Sequence, residues 1–408
     1  MNKQIINHFT DNDLYTFSVC LVYLTKFSRA KGEYAFVDRN NTVYPKGFAE
    51  KVQEQVNMMS NISITDEEID FLKNRCKYFP NWFLTFLKAY KFDPNEVNIS
   101  QDEEGHLSVK IKGYLWRTLW WEVPLLAIIS ELKHEANGDI EIYNEKTEFE
   151  RSYEKGRKLV ENGLFYSEFG TRRRFSYSHH ELVVQALKQA YDDYEKEDHA
   201  LGQPIGKFVG TSNVYFAMKY NLTPIGTMSH QFISMIGALF GYREANYLAM
   251  KYWQDVYEGD LGVYLYDTFT WKAFERNFGL LHAKSFDGLR IDSGDNYDQV
   301  EKIIDKYHSL GINPKSKTAT FSNGLSIDEA IEIHKYVNSR IMDRYGIGTS
   351  LTCDILGVSA SNMVIKLIKA QITENSEEFD CVKLSNDISK ACGNKEEIEI
   401  VKKMLHLV

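Results

Sequence analysis

The spacing of apolar and polar residues changes along the chain and indicates two kinds of structure. Within roughly the first 135 residues, 33–39 and 104–113 alternate between apolar and polar positions, as β-strands do. Between them, a Thr-x-x-Glu capping box at Thr65 precedes apolar residues at helical spacing, and a second helix is predicted after Pro80. This part of the chain is therefore predicted to be a mixed α/β domain.

Beyond about residue 200 the pattern becomes regular. Short apolar runs occur at 206–210, 222–226, 261–267, 286–292, 318–323 and 345–350. The later runs begin about 25 to 30 residues apart, which fits strand–helix units. The segments between them, such as 296–310 and 326–337, place apolar residues on one face of a helix. This alternation predicts parallel strands covered by helices, in a barrel or in an open sheet.

Polar, glycine-rich clusters follow several of these strands, where both architectures place their chemistry. The clusters are GTSN (210–213), GTMSH (226–230), YDTF (266–269), IDSGD (291–295), SNG (322–324) and GTSLT (348–352). The chain has no GxGxxG or GxxxxGK[ST] pattern, so the sequence supports neither a Rossmann dinucleotide site nor a P-loop.

The composition narrows the classes of protein and of partner. The chain has 408 residues, 43% of them hydrophobic and 26% charged, which is typical of a globular protein with two or three domains. The net charge of −9 argues against a nucleic-acid partner, although a local basic pocket for small anions stays possible. The five cysteines lack zinc-site spacing and are predicted to be reduced. No signal-peptide pattern or 18-residue apolar run occurs, so we expect a cytoplasmic protein without a membrane partner.

Arg290 and Asp292 are the first candidates for chemistry. They lie two residues apart in a predicted strand, so both side chains point to one face, with Ile291 on the other. An arginine and an aspartate at a strand end suit a sugar phosphate, because the guanidinium binds phosphate oxygens and the carboxylate binds ribose hydroxyls or Mg²⁺. The alternative interpretation is an internal salt bridge.

Three further clusters point to the same chemistry. Arg172 to Arg174 are either a solvated face or a bidentate site for an aromatic carboxylate whose ring stacks on Phe169. The loop 346–352 offers backbone N–H groups and hydroxyls to a phosphate. His230 follows a predicted strand and is either a space-filling side chain or a base or nucleophile. Together, these clusters indicate phosphoribosyl or phosphoryl chemistry.

Eight motifs in one order, from residue 13 to residue 385, resemble those of the nicotinate phosphoribosyltransferase family. They are DLY (13–15), FGTRRR (169–174), GTSN (210–213), GTMSHQF (226–232), RIDSGD (290–295), FSNGL (321–325), GIGTSLT (346–352) and KLS (383–385). The resemblance implies an irregular α/β barrel and a smaller α/β domain built largely from the N-terminal region. We expect boundaries at 1–135 for the smaller domain and 136–369 for the barrel, with 370–408 as a candidate to fold back onto the smaller domain.

The resemblance also implies the reaction. Nicotinate, 5-phosphoribosyl 1-pyrophosphate (PRPP), ATP and water would give nicotinate mononucleotide, ADP, phosphate and pyrophosphate, in NAD salvage. Formation of a C–N bond with coupled ATP hydrolysis would place the enzyme in the ligase class. Mg²⁺ would accompany PRPP and ATP, and the protein would be a monomer or a homodimer.

Roles for individual residues follow from the motif positions. His230 would be the catalytic residue, phosphorylated by ATP. The residues implied for nicotinate are Tyr15, Phe169, Arg172, Thr227 and Arg290, with Tyr15 reaching the active site of a neighbouring subunit in a dimer. The residues implied for PRPP are Asp292, Ser293, Gly294, Asn323, Gly324, Gly348, Thr349 and Lys383. No metal ligand is assigned, and both the carboxylate that orients His230 and the arginine that faces the pocket are left open.

Three other functions compete with this one. A relative that uses nicotinamide would be favoured by a carboxylate at the position of Ser212, whereas this chain has a serine there and arginines at 172–174. A quinolinate enzyme needs no phosphorylatable histidine. An inactive nucleotide sensor or scaffold is disfavoured because four residues suited to the chemistry occur together: His230, Arg290, Asp292 and Thr349.

Overall fold

The computed structural model describes residues 3–199, 203, 205–387 and 390–408. Its strands are β1 Lys31–Asp38, β2 Val97–Gln101, β3 Leu107–Tyr114, β4 Phe165–Glu168, β5 Lys207–Thr211, β6 Thr223–Pro224, β7 Val263–Leu265, β8 Gly288–Ile291, β9 Thr318–Phe321, β10 Met342–Ile347, β11 Met363–Gln371 and β12 Phe379–Asp380.

The α-helices cover both ends of the chain as well as the strand connections. They are α1 Leu14–Lys26, α2 Phe48–Met58, α3 Asp66–Arg75, α4 Asn81–Ala89, α5 Leu115–Thr118, α6 Glu122–Ala136, α7 Glu145–Glu161, α8 Tyr177–Glu195, α9 Val214–Lys219, α10 His230–Phe240, α11 Ala245–Tyr257, α12 Trp271–Asn277, α13 Leu280–Ser285, α14 Asn296–Ser309, α15 Ile327–Val337, α16 Thr349–Thr352 and α17 Lys395–Met404.

Seven parallel strands form the larger sheet. Its strand order is β6-β5-β4-β10-β9-β8-β7. If the two edge strands were joined, the strands would follow one another around the barrel in chain order, from β4 to β10. The sheet is therefore an incomplete barrel that is open between β6 and β7. Pro224 lies in β6 and has no N–H to donate to a neighbouring strand, which shortens β6 at this opening. The predicted irregular α/β barrel is confirmed.

Helices predicted from apolar spacing cover the barrel strands. α14 buries one face, including Val300, Ile303 and Tyr307. Ser326 caps α15 by accepting a hydrogen bond from the Glu329 N–H. In the N-terminal part, the capping box at Thr65 is present at the start of α3, as predicted. These starts are local features, and for that reason the sequence alone locates them.

Five antiparallel strands form the smaller sheet, in the order β12-β11-β1-β3-β2. The predicted strands 33–39 and 104–113 correspond to β1 and β3. The C-terminal strand β11 pairs with β1 along its whole length, from Lys31 opposite Gln371 to Asp38 opposite Met363. The smaller sheet therefore combines both ends of the chain. The boundaries at 135 and 369 stay a prediction, and β11 begins ahead of the second one.

One large apolar core extends through both sheets, beside a small separate cluster around Phe175. The large core includes Trp120 and Trp121, which are fully buried in the tryptophan-rich segment ahead of α6. All five cysteines are free thiols, and only Cys392 among them is not buried. Within the described residues, no helix combines the length and the apolar character that crossing a membrane would need.

Candidate active site

The carboxyl ends of the barrel strands surround a cavity of about 760 Å³. Phe169 follows β4, His230 follows β6, Asp292 follows β8, and Thr349 follows β10. The smaller sheet forms the opposite wall, where β11 contributes Lys366. The predicted site residues that line the cavity are Tyr15, Phe169, Arg172, His230, Arg290, Asp292, Gly324, Gly348, Thr349 and Lys383.

His230 is the first residue of α10 and is largely buried. Its Nδ1 lies 2.9 Å from the Thr268 hydroxyl. Its Nε2 lies 3.0 Å from Asp292 Oδ2 and 2.9 Å from the Lys383 ammonium. Asp292 is therefore the carboxylate in contact with the ring, at Nε2, whereas Nδ1 contacts a hydroxyl and not the carboxylate expected at the nitrogen that does not react.

Burial and the neighbouring Lys383 hold the pKa of His230 well below its usual value, so the ring is neutral at neutral pH. An ammonium can only donate hydrogen bonds, and Nε2 must therefore offer its lone pair when it is bonded to Lys383. The Asp292 carboxylate can only accept, so its contact with the same nitrogen requires a proton on Nε2, and the two neighbours favour opposite tautomers. In the tautomer that Lys383 favours, the ring proton lies on Nδ1, where the Thr268 hydroxyl oxygen accepts it. This tautomer leaves Nε2 as the nucleophilic nitrogen.

Arg290 and Asp292 share one face of the barrel wall, as their spacing predicts. Arg290 Nη2 lies 3.0 Å from Asp292 Oδ1, and the Ser322 hydroxyl donates to the same oxygen at 3.0 Å. Burial alone would raise the pKa of Asp292, but Arg290 and the contact with His230 hold it well below its usual range. The salt bridge considered from the sequence is present, and both side chains also face the cavity.

Asp267 is a further carboxylate beside His230. It is fully buried, and its Oδ2 accepts a hydrogen bond from Ser293. Its Oδ1 has no hydrogen-bond partner and lies 3.9 Å from His230 Nε2. Burial raises the pKa of this carboxyl, which fits a site that a cation completes.

This carboxylate pair suits a hard cation. Ligand atoms of His230, Asp267 and Asp292 all lie within 4.8 Å of one another. Carboxylate oxygens are the donors that Mg²⁺ prefers, and an orphaned carboxylate oxygen supplies a free ligand position. The residues therefore fit Mg²⁺. Asp267 was not among the predicted site residues, although its cluster at 266–269 was recognised as following a strand.

The three successive arginines have three different environments. Arg174 is fully buried and forms a bidentate pair with Asp11, at 2.7 and 2.9 Å. Arg172 and Arg173 line the cavity. Burial and the neighbouring Arg172 lower the pKa of Arg173 to about 10. The interpretation of the run as a solvated face is therefore wrong for Arg174, because a buried aspartate in the N-terminal segment pairs with it.

Tyr15 and Phe169 provide aromatic surfaces beside these cations. The Arg172 guanidinium carbon lies 5.7 Å from the centre of the Tyr15 ring, and that of Arg290 lies 5.8 Å from the Phe169 ring. Gly346 permits this position of Phe169, because a Cβ at residue 346 would lie 2.5 Å from the ring. An aromatic acid would find both a ring surface and a guanidinium here.

The placement of Tyr15 corrects one expectation. Leu14 N–H donates to the Ser212 carbonyl at 2.9 Å, and Asp13 forms an antiparallel bridge with Asn213. These bonds attach the start of α1 to the loop after β5. Tyr15 therefore lines the cavity of its own chain, rather than reaching the site of a neighbouring subunit.

The other predicted residues lie around the cavity without lining it, and all four are within the described chain. The Thr227 carbonyl accepts a hydrogen bond from Ser18 of α1. Ser293 is fully buried and donates to Asp267. Gly294 has a φ of +84°, and its carbonyl accepts from the Asn323 amide at 2.8 Å. Ser293, Gly294 and Asn323 thus support the loop that follows β8.

Sequence reasoning missed several cavity residues. Lys366 in β11 and Glu122 at the start of α6 both line the cavity, as do Arg39 and Lys390. Burial and Lys383 lower the pKa of Lys366 to about 8. The apolar run 363–368, interrupted only by Lys366, is a usable strand signal, whereas nothing local marks Glu122 within its apolar, tryptophan-rich surroundings.

Comparison with known proteins confirms the resemblance. The model of the nicotinate phosphoribosyltransferase (NAPRTase) family matches residues 165–407, and the model of its N-terminal domain matches 10–130. Nicotinate phosphoribosyltransferase of Desulforapulum autotrophicum is 42% identical over 97% of both chains, and that of Chromohalobacter salexigens is 37% identical over 99% of both. The crystal structure of nicotinate phosphoribosyltransferase from Porphyromonas gingivalis has a TM-score of 0.92 at 40% identity, covering 98% of this chain and 100% of that chain. The chain therefore belongs to the nicotinate phosphoribosyltransferase family.

Proposed function

We propose that the protein transfers the phosphoribosyl group of PRPP to nicotinate in NAD biosynthesis, and that ATP drives this reaction through a phosphohistidine at His230. The position of His230 Nε2 supports the proposal. This nitrogen lies between Asp292 and Lys383 in a cavity at the barrel strand ends. A histidine that merely fills space does not require a cation and a carboxylate at one ring nitrogen.

The phosphoryl step uses the neutral imidazole. The Nε2 lone pair attacks the γ-phosphorus of ATP, an N–P bond forms, and the bond to the bridging oxygen breaks so that ADP leaves. Thr268 holds the Nδ1 proton and thereby keeps the ring in the reactive tautomer. Lys383 can follow the transferred phosphoryl group, because its ammonium is already beside Nε2.

Phosphorylation would change the local charge strongly. A phosphorylated side chain carries roughly −1.5 to −2 charges at neutral pH. At His230 this charge would be attracted to Lys383 and repelled by Asp292, both about 3 Å from Nε2. The loops that carry these residues also border the PRPP site, so their adjustment would alter PRPP affinity.

Two cavity regions would hold the reactants of phosphoribosyl transfer. Arg172, Tyr15 and Phe169 would bind nicotinate through its carboxylate and ring. Thr349 and Gly348 would bind PRPP phosphate, and Asp292 would bind ribose hydroxyls. The pyridine nitrogen then forms the new bond to the ribose carbon while pyrophosphate leaves. Asp267 and Asp292 would hold Mg²⁺, which neutralises part of the phosphate charge when bound.

One labelling experiment tests the proposal. The protein is incubated with ATP labelled at the γ-phosphorus, and consumption of nicotinate and of nicotinamide with PRPP is measured separately. We expect label on His230 and use of nicotinate. A His334→Ala variant is the matched control and should keep the label, since His334 lies on the outer helix α15 and contacts Asp343 of β10. Full ATP coupling in His230→Ala, or a preference for nicotinamide, would contradict the proposal.

A further inference from the structure

Gln231, the residue after His230, connects β1 of the smaller sheet to the start of α6 by side-chain hydrogen bonds. The Tyr34 hydroxyl of β1 donates to Gln231 Oε1 at 2.6 Å. The Gln231 amide donates to Glu122 Oε2 at 3.2 Å. The other oxygen of Glu122 lies 3.5 Å from Arg172 Nη1. A continuous chain of contacts thus extends from the smaller sheet, past the reactive histidine, to the arginine proposed for nicotinate.

Burial makes these contacts energetically significant. Tyr34, Gln231 and Glu122 are 1%, 7% and 6% exposed, respectively. A buried polar group that loses its partner is left without compensation for its desolvation, so breaking any of these contacts is unfavourable. Glu122 is consequently held at one oxygen by Gln231 and at the other by Arg172.

An amide is the side chain that this position needs. A carboxylate only accepts hydrogen bonds, so the NH₂ end of Gln231 must face Glu122. The carbonyl end then faces Tyr34 and accepts its proton. A leucine of similar size would leave the Tyr34 hydroxyl without its acceptor and Glu122 Oε2 without its donor, while Glu122 Oε1 keeps its contact with Arg172. An acid in place of the amide would set two carboxylates against each other.

The position of Gln231 in α10 would also couple the phosphorylation of His230 to the position of Arg172. Gln231 and His230 share the first turn of α10, so a shift of the His230 backbone moves the amide of Gln231. New negative charge on His230 would be repelled by Asp292 and attracted to Lys383, which displaces this turn. Glu122 would follow Gln231 and change the position of the Arg172 guanidinium.

We propose that Gln231 is a positioning residue that transmits phosphorylation of His230 through Glu122 to Arg172 and thereby sets the affinity for nicotinate. This inference rests on the proposed function and adds the route by which ATP changes the nicotinate site. Gln231 itself lines the cavity, and its proposed action on nicotinate runs through Glu122 and Arg172.

The test compares the KM for nicotinate with and without ATP. In the unmodified protein we expect ATP to lower this KM by about tenfold, within the usual range of coupling between sites. In Gln231→Leu the KM should be the same with and without ATP, whereas label at His230 and the KM for PRPP change less than about twofold. A purely structural role would instead lower kcat or raise both KM values together.

Two variants guard against misfolding and give a graded response. Tyr34→Phe removes only the hydroxyl that fixes the Gln231 carbonyl, and it should reduce the ATP effect partially while the protein keeps a cooperative thermal transition at a slightly lower midpoint. Gln254→Leu, on the exposed side of α11, is the matched control and should keep the whole effect.

The outcomes separate the two proposals. If the unmodified protein takes no label or does not consume nicotinate, the proposed function fails. If it does both and Gln231→Leu still shows the ATP-dependent drop in KM, the route through Gln231 is wrong and the proposed function stands. A Tyr34→Phe variant with the full effect would also contradict this route.

Discussion

Lys366 shows how one residue can make substrate affinity depend on pH. Burial and the nearby Lys383 lower its pKa to about 8, so its cation is lost as the pH rises through 8. Because Lys366 lines the cavity, we expect the KM for PRPP, which is anionic, to increase above about pH 8. Steady-state kinetics from pH 7 to pH 9 would detect this increase.

The matched variant for this prediction is Lys366→Arg. A guanidinium keeps its charge throughout this pH range, so the variant should show a nearly constant KM for PRPP. An equal rise of the KM in both proteins would show that another group titrates, and Lys366 would then have no part in PRPP binding.

Arg290 is the second residue whose contribution to activity a substitution can measure. It contacts Asp292 and Ser322 in the cavity wall, at 3.0 and 2.8 Å. Arg290→Ala removes a charge-assisted contact, and we expect kcat/KM to fall by an amount that corresponds to about 2 to 4 kcal/mol of activation free energy. Arg290→Lys keeps the charge without the planar fork and should recover only part of the loss. A kcat/KM for nicotinate and PRPP equal to that of the unmodified protein would refute this role.

At the scale of secondary-structure elements, the sequence predicts the features that depend only on residues close together in the chain. Strand runs, capping residues and the spacing of Arg290 and Asp292 are local patterns, and the structure retains all of them. Pairing between distant strands is not local. The join of β11 to β1 brings Lys366 into the site, and no pattern near Lys366 indicates that partner.

Buried charge pairs are the other feature that local patterns leave out. The run Arg172 to Arg174 gives no indication of which arginine is internal, because the deciding partner, Asp11, lies more than 150 residues away in the chain. Likewise, Glu122 becomes a cavity residue only because α6 begins beside Arg172. The nature of the chemistry could therefore be predicted from residue types, whereas the hydrogen-bond partners needed the fold.

The Asp11–Arg174 pair joins the N-terminal segment to the turn after β4, and its removal tests this connection. Both side chains are fully buried, and Asn213 also donates to Asp11 at 2.7 Å. Arg174→Leu would leave the Asp11 charge without its main partner, at a cost of about 3 to 5 kcal/mol in the free energy of unfolding. Chemical denaturation of the variant would measure this cost.

Arg172→Leu provides the comparison for that measurement. Arg172 is partly exposed and its contacts with acidic groups are longer, at 3.5 and 3.7 Å. Its replacement leaves the buried Asp13 and Glu122 without this cation, and should lower the unfolding free energy by about 1 to 3 kcal/mol, less than the Arg174 change, while it weakens nicotinate binding. Similar stability losses in both variants would mean that the burial of the Arg174 pair is not the cause.

At the scale of the whole molecule, one cavity depends on both sheets. The barrel contributes His230, Asp292 and Arg290, which would carry the chemistry, and the smaller sheet contributes the cation Lys366. The apolar core is continuous through both, from Ile5 near one end to Leu405 near the other. Neither sheet therefore supports the site alone. Because cations from both sheets line one cavity, the site is locally cationic although the chain has a net charge of −9.

The same arrangement predicts that residues 1–135 do not fold alone. β1 is the third strand of five, and without β11 all eight of its residues lose their partners on one side. An unpaired edge of this length promotes association with other chains. We expect the fragment 1–135 to aggregate or to unfold without a cooperative transition, as measured by gel filtration and thermal circular dichroism.

Joining residues 361–382, which contain β11 and β12, through a flexible linker should restore solubility and a cooperative melt, because β1 regains its antiparallel partner. A soluble, cooperatively folded fragment 1–135 would show instead that the N-terminal region is a domain in its own right.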